Sequence, residues 1–189
     1  QRIDETVGKI RDKLREMGIE ENTLILFTSD NGPHNEGGHS VTRFNSTGGL
    51  RGYKRSLHEG GIRVPFIAEW PGTIKPGQVS DHIGYFPDII NTLCDLVGIN
   101  KVPYSDGISF APLLKGDIEK QKQHLYLYFE YRGQIAVRKG EWKYYRDSEG
   151  NEFLYKLSED RHEDNDVKEE NKSIFNQLKE YIIAEHRDY

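Results

Sequence analysis

The sequence predicts an α/β fold class continuing into a small α+β unit, and three observations carry that prediction. An apolar run at residues 23–28, TLILFT, follows a helical pattern and lacks polar alternation. A second apolar run at 64–70 is followed by another helical pattern. From residue 124 onward, short aromatic stretches separated by turn signals replace both.

Taken in order, Ile3, Val7, Ile10, Leu14 and Met17 recur at spacings of three and four and predict a helix over 2–17, with Gly18 where a C-terminal cap belongs. Residues 23–28 are apolar enough for a strand buried on both faces, as in parallel or mixed sheets covered by helices. Residues 29–62 hold many glycines and little periodicity, which predicts a long irregular loop; loops of that length are functional or disordered. A second strand is expected at 64–70, closed by Pro71-Gly72. Pro87 suits the first turn of a helix carrying Phe86, Ile89, Ile90, Leu93, Leu96 and Val97 and ended by Gly98. Residues 100–123 read as loop-rich. HLYLYFEY, QIAVR, EWKYY and EFLYKL then predict about four antiparallel strands, with a hairpin turn at Lys139-Gly140. The acidic stretch SEDRHEDND reads as a solvated loop, and Ile174, Phe175, Leu178, Tyr181 and Ile182 form the stripe of a last helix that packs on the sheet. The expected division is residues 1–123, an α/β part, and 124–189, a sheet and helix. Two central strands are too few for a covered sheet, which implies that strands are missing.

Composition narrows the function. Hydrophobic residues make up 35%, charged residues 30% and aromatics 11%, so general disorder is not expected. The net charge of −5 gives no reason for nucleic-acid or membrane-surface binding, and no run approaches the roughly 20 apolar residues of a membrane span. Cys94 is the single cysteine and allows no internal disulfide; its place on a helical pattern suits a small buried hydrophobe.

Two constellations carry chemistry. Asp30-Asn31-Gly32 ends the first apolar run. A hairpin turn requires alternating strand sequence afterwards, and Pro33-His34-Asn35-Glu36-Gly37-Gly38 is not that. A carboxylate and an amide carbonyl at a strand end suit a hard cation, although a capped turn is equally compatible and two oxygens are too few for a full site. The second constellation is FNSTGGLRGYKRSLHEGGIRVP, where Arg43, Arg51, Lys54, Arg55 and Arg63 are opposed by Glu59 alone. Lysine and arginine match a tetrahedral oxyanion, and the glycines allow close backbone approach; a solvated basic loop is the plain alternative. A cation beside a lysine makes a site for a doubly charged ester, both stabilising charge in the transition state.

TLILFTSDNG followed by LRGYKRSLHEGGIRVPFIAEWPG resembles the downstream half of an arylsulfatase-type sulfatase, and the resemblance runs through SDHIGYFPDIINTLCDLVGI and DGISFAPLLKG to the closing aromatic sheet. The Lys-x4-Glu-Gly-Gly-x-Arg-Val-Pro element is its most specific part. The resemblance implies part of an alkaline-phosphatase-like α/β/α sandwich plus a C-terminal four-stranded sheet. It also implies that Asp30 and Asn31 are calcium ligands and that Lys54 contacts the sulfate ester as a catalytic residue. Such sulfatases use a formylglycine matured within Cys/Ser-x-Pro/Ala-x-Arg, a motif this sequence does not contain. The family's first aspartate pair would also precede Gln1. The chain is therefore expected to be the C-terminal part of a larger enzyme and to be inactive alone.

His34 and His39 flank the glycine-rich loop as candidate substrate-binding groups or plain loop histidines. His58 is expected to face solvent, Arg51 to hold substrate or brace the loop through Glu59, and Arg63 to be structural. Trp70 and Trp142 are expected in the core. The expected partner is a sulfate ester, aryl or sugar. Two other readings are a phosphoesterase of the same superfamily and a structural module. A homo-oligomer, a dimer, is expected through an exposed strand edge. Family resemblance implies a periplasmic or secreted location.

Overall fold

A computed structural model describes residues 2–99 and 104–186. Their contacts form two compact units: the residues up to Thr28 with Phe66–Gln123, and Ser29–Pro65 with His124 onward.

In the first unit, helix α1 spans Arg2–Glu16. It ends as the sequence predicts: the Ile19 N–H bonds Leu14 O at 3.1 Å, the Gly18 N–H bonds Arg15 O at 3.0 Å, and Gly18 sits at φ +66°. Strand β1, Ile25–Thr28, pairs antiparallel with β2, Phe66–Glu69, in the register Ile25 to Glu69. The expectation of a strand buried on both faces is corrected here. Every β1 residue is only half-buried, because the two-stranded sheet has no further strand among the described residues to cover it. Trp70 is likewise half-buried, its Nε1–H reaching Glu21 O at 2.9 Å.

Helix α3, Pro87–Leu96, starts on its proline and closes with the Ile99 N–H on Cys94 O at 2.8 Å. (Helix α2, Glu59–Ile62, is a single turn in the second unit.) Two buried polar residues of α3 fix the chain that follows. Asp88 accepts from the Ile108 N–H at 2.7 Å, and Thr92 Oγ1 accepts from the Phe110 N–H at 2.9 Å, which leads into the turn α4, Ala111–Leu114.

In the second unit, β3 (Leu127–Tyr131), β4 (Gln134–Lys139), β5 (Trp142–Arg146) and β6 (Glu152–Lys156) form a meander in sequence order. The β3–β4 loop is Arg132-Gly133 with φ of +47° and +78°, the double left-handed pattern that a tight right-twisted hairpin requires. The β4–β5 loop is Gly140-Glu141, at the predicted turn.

Strand alternation then sorts the core into two faces. Ile135, Val137, Tyr144 and Leu154 pack with Leu178 and Ile182 of α5, Lys172–Glu185, as the stripe predicts. Trp142 packs at the rim of that cluster and is half-buried. On the opposite face Ala136, Tyr145, Tyr155 and Leu157 pack around Leu57, with Ile62 beside them. The long glycine-rich loop 29–65 is therefore ordered against the sheet, with its own buried anchor and the helical turn α2.

Candidate active site

Asp30, Asn31, His34 and Lys54 line one open cleft of about 630 Å³, together with Gly60 and Arg63. Local backbone contacts explain how residues 24 positions apart meet. The Lys54 N–H donates to Pro33 O at 2.9 Å, and the Gly32 N–H donates to Gly61 O at 2.9 Å. A Cβ on Gly32 would stand 1.9 Å from Gly60 O, so the two segments approach as only glycine permits. The glycines of Asp30-Asn31-Gly32 and of Glu59-Gly60-Gly61 are the two sides of one backbone contact.

Asn31 Nδ2 donates to Gly32 O at 2.9 Å, which leaves its Oδ1 as the end of the amide suited to a cation. Asp30 is exposed and presents a carboxylate. These are hard oxygen donors of the kind calcium takes, but two fall well short of the roughly six to eight it gathers. Among the described residues no group of three or more His, Cys, Asp or Glu is placed to hold a metal. The pair fits calcium as part of a ligand set.

A second open cavity of about 470 Å³ shares His34 and Lys54 with the first and adds Asn35, Glu36, Tyr53 and Arg55. Arg55 and Glu36, both in its lining, form an ion pair at 2.6 Å. His39 does not line either cavity; its ring lies 5.2 Å from that of His34. Arg51 lines neither. Its Nη1 donates to Glu163 O at 2.6 Å, so the expected brace through Glu59 is corrected: the brace runs through Glu163.

The larger correction concerns what lies beneath the cleft. His58, expected to face solvent, is buried, its ring 4.2 Å from that of Tyr145. The acidic stretch is not a uniformly solvated loop, because Glu163 within it is fully buried. Arg138 and Lys143 are opposite one another on β4 and β5, on the face that Leu57 covers. Two cations so placed repel unless anions sit between them. Glu59 is that anion: Arg138 Nη1 reaches its Oε2 at 2.9 Å and Lys143 Nζ its Oε1 at 3.0 Å. Lys143 Nζ is also 2.9 Å from Glu163 Oε1, while Glu163 Oε2 accepts from the Glu59 N–H at 2.7 Å. His58 Nδ1 closes to 3.1 Å from Glu163 Oε1 without hydrogen-bond geometry.

Burial acts to raise the Glu163 pKa. The His58 contact, the Lys143 charge and the Glu59 N–H outweigh it and hold this carboxyl below the usual carboxylate value. Sequence reading missed Glu163, Lys143 and Arg138. The available signal was the hairpin register, which puts two cations on one face of a strand pair with no anion in either strand.

The chain belongs to the sulfatase family: the model of that family matches residues 1–99, and that of the N-sulphoglucosamine sulphohydrolase C-terminal region matches residues 51–188. Within the family it corresponds to the C-terminal portion of an arylsulfatase-type enzyme, on the alkaline-phosphatase-like fold. It is 36% identical over 146 residues to arylsulfatase A of Homo sapiens, covering 75% of this chain and 28% of that protein. It is 40% identical over 152 residues to N-acetylgalactosamine-6-sulfatase of Mus musculus, covering 75% of this chain and 27% of the relative. A solved sulfatase structure described with the metabolism of multiple glycosaminoglycans by Bacteroides thetaiotaomicron aligns with a TM-score of 0.78 at 27% identity, covering 96% of this chain and 42% of that one. The chain thus spans under a third of the length of these two curated relatives. No helix among the described residues is long and apolar enough to cross a membrane.

Proposed function

We propose that this chain supplies one side of the active site of an enzyme that hydrolyses sulfate monoesters. The observation that carries the reading is the single cleft in which Asp30, Asn31, His34 and Lys54 meet. In the complete enzyme Asp30 and Asn31 would hold calcium through their oxygens, and the ion would supply a positive charge that stabilises the anionic ester. Lys54 donates its ammonium protons to the sulfate oxygens and stabilises the charge that gathers on them in the transition state. His34, which lines both cavities, gives a proton to the departing oxygen; His39 packs beside it and Arg51 braces the loop. The adjoining cavity, with Tyr53, Arg55 and Glu36, receives the alcohol part of the ester, an aryl group or a sugar. N-acetylgalactosamine-6-sulfatase among the relatives favours the sugar.

The formylglycine nucleophile and the remaining calcium ligands belong to a segment outside this sequence, so the chain alone is inactive. The enzyme is periplasmic or secreted. Both strands of the first unit's two-stranded sheet keep an unpaired edge among the described residues, which supports a homodimer.

The test uses a longer protein that joins this chain to a segment with Cys/Ser-x-Pro/Ala-x-Arg. It is expected to hydrolyse p-nitrophenyl sulfate in preference to p-nitrophenyl phosphate, and Lys54→Ala to lower kcat by about 10²–10³. The isolated chain is expected to show no turnover. Turnover by the isolated chain, or a preference for the phosphate, would overturn the reading.

A further inference from the structure

We propose that Glu163 is a positioning residue that clasps the Lys54 loop at both ends, with Lys143 as its buried counter-charge. The inference deepens the reading above, since Lys54 matters most if it meets an anionic ester. The loop that bears Lys54 runs from Arg51 to Gly61, and Glu163 holds it twice. The Glu163 main-chain oxygen takes the Arg51 guanidinium at 2.6 Å, at the loop's start. Its carboxylate takes the Glu59 N–H at 2.7 Å, at the loop's end. The same two ends are tied to each other, because the Gly60 N–H donates to Arg51 O at 2.7 Å. From this closed base the next contacts lead to the cleft: Gly61 O accepts from Gly32 beside Asp30-Asn31, and the Lys54 N–H donates to Pro33 O.

Backbone conformation points the same way. Glu163 sits at φ +60°, a left-handed conformation that L side chains disfavour. A residue there for solubility alone would be exposed and relaxed. Glu163 is instead fully buried, faces Lys143 at 2.9 Å and His58 at 3.1 Å, and engages the loop with both its carbonyl and its carboxylate. A strained, buried and charged residue persists where the surroundings over-determine it, as at functional sites. Arg51, Glu59 and the Lys54 loop come from one stretch of sequence, and Glu163 from a loop more than a hundred residues later.

The test reads amide hydrogen exchange in the full chain. Glu163→Ala is expected to speed exchange at the Gly32 and Lys54 amides by roughly tenfold or more, while the β3–β4 ladder amides keep their protection. Glu163→Gln keeps an acceptor for the Glu59 N–H and is expected to restore part of that protection; it also serves if the alanine variant does not fold. Unchanged exchange at Gly32 and Lys54 in the folded variants would overturn the proposal, as would a loss shared equally with the ladder, which marks mere destabilisation. In the longer protein, kcat per folded molecule is expected to fall in Glu163→Ala, and an unchanged kcat would likewise overturn it. If the unsubstituted longer protein has no sulfate ester activity, the proposed function fails, and the exchange result still decides the clasp.

Discussion

Replacing Lys143 by methionine removes a buried charge with little loss of volume, so it isolates the electrostatics beneath the cleft. Glu59 and Glu163 carry two negative charges, and Lys143 and Arg138 carry two positive ones. The set is neutral as built. The Lys143 side chain has no exposure and stands 3.0 Å from one carboxylate and 2.9 Å from the other. Without it, Arg138 pairs with Glu59 alone, and the Glu163 carboxylate keeps the Glu59 N–H and the His58 contact but loses its lysine. Removing one partner of a buried ion pair costs about 3–5 kcal/mol, chiefly through the charge left unpaired. In a protein of this size that corresponds to a fall in Tm of about 6–20 °C. Urea unfolding at pH 7, followed by circular dichroism, gives the free energy directly. The informative variant is the double one. Lys143→Met with Glu163→Gln returns the set to neutrality, with Glu59 against Arg138, and should be less destabilised than the sum of the single changes by about 1 kcal/mol or more. Strict additivity, or a cost below about 1 kcal/mol for Lys143→Met, would show that the cluster is hydrated and that its charges do not hold the loop.

The remaining expectations probe other links. Gly32→Ala should destabilise the protein by about 1–3 kcal/mol in urea titrations, because its Cβ would stand 1.9 Å from Gly60 O and force the two halves of the cleft apart; a neutral result would mean that the contact is slack. Leu178→Ala, which empties a fully buried place between α5 and the sheet, should cost about 2–5 kcal/mol in the same assay. The Glu163 pKa is lowered from its ordinary 4.5, so its ionisation stabilises the folded state above about pH 4.5, and that contribution is lost as the pH falls through the lower folded value. Glu152 and Asp166 are shifted in the same direction. Unfolding free energies measured from pH 7 down to pH 3 should therefore fall, and less steeply in Glu163→Gln; an identical slope in that variant would remove Glu163 from the account.

Local chemistry is what the sequence discloses well. The helix caps at Gly18 and Gly98, the proline start of α3, the aromatic strands and the α5 stripe each follow from neighbours within a few residues. The co-location of Asp30 and Lys54 was legible only through the family resemblance; no periodicity brings those segments together. What escaped was long-range electrostatics. SEDRHEDND has the composition of a hydrated loop, and nothing within it reveals that one of its glutamates meets a lysine twenty residues earlier in a strand. Lys143, in turn, sits in EWKYY where alternation alone would suit a solvent-facing position, because the face it occupies is covered by a loop from the other end of the sequence. The half-buried β1 shows the complementary limit: an apolar run specifies what a strand can bury, and the neighbours decide what it does bury.

The separation between the loop and its clasp bears on the order of assembly. Synthesis proceeds from the amino terminus, and Glu59 is made 104 residues before Glu163. At about 5–20 residues per second, the Lys54 loop waits some 5–20 s for the carboxylate that closes it. The sheet's meander, whose strands pair with sequence neighbours, needs no such wait once its residues have emerged. The residues that line the cleft with Lys54 are thus all translated early, and a nascent chain halted anywhere before residue 163 carries the Lys54 loop with its ends joined by the Gly60–Arg51 contact but without the Glu163 clasp.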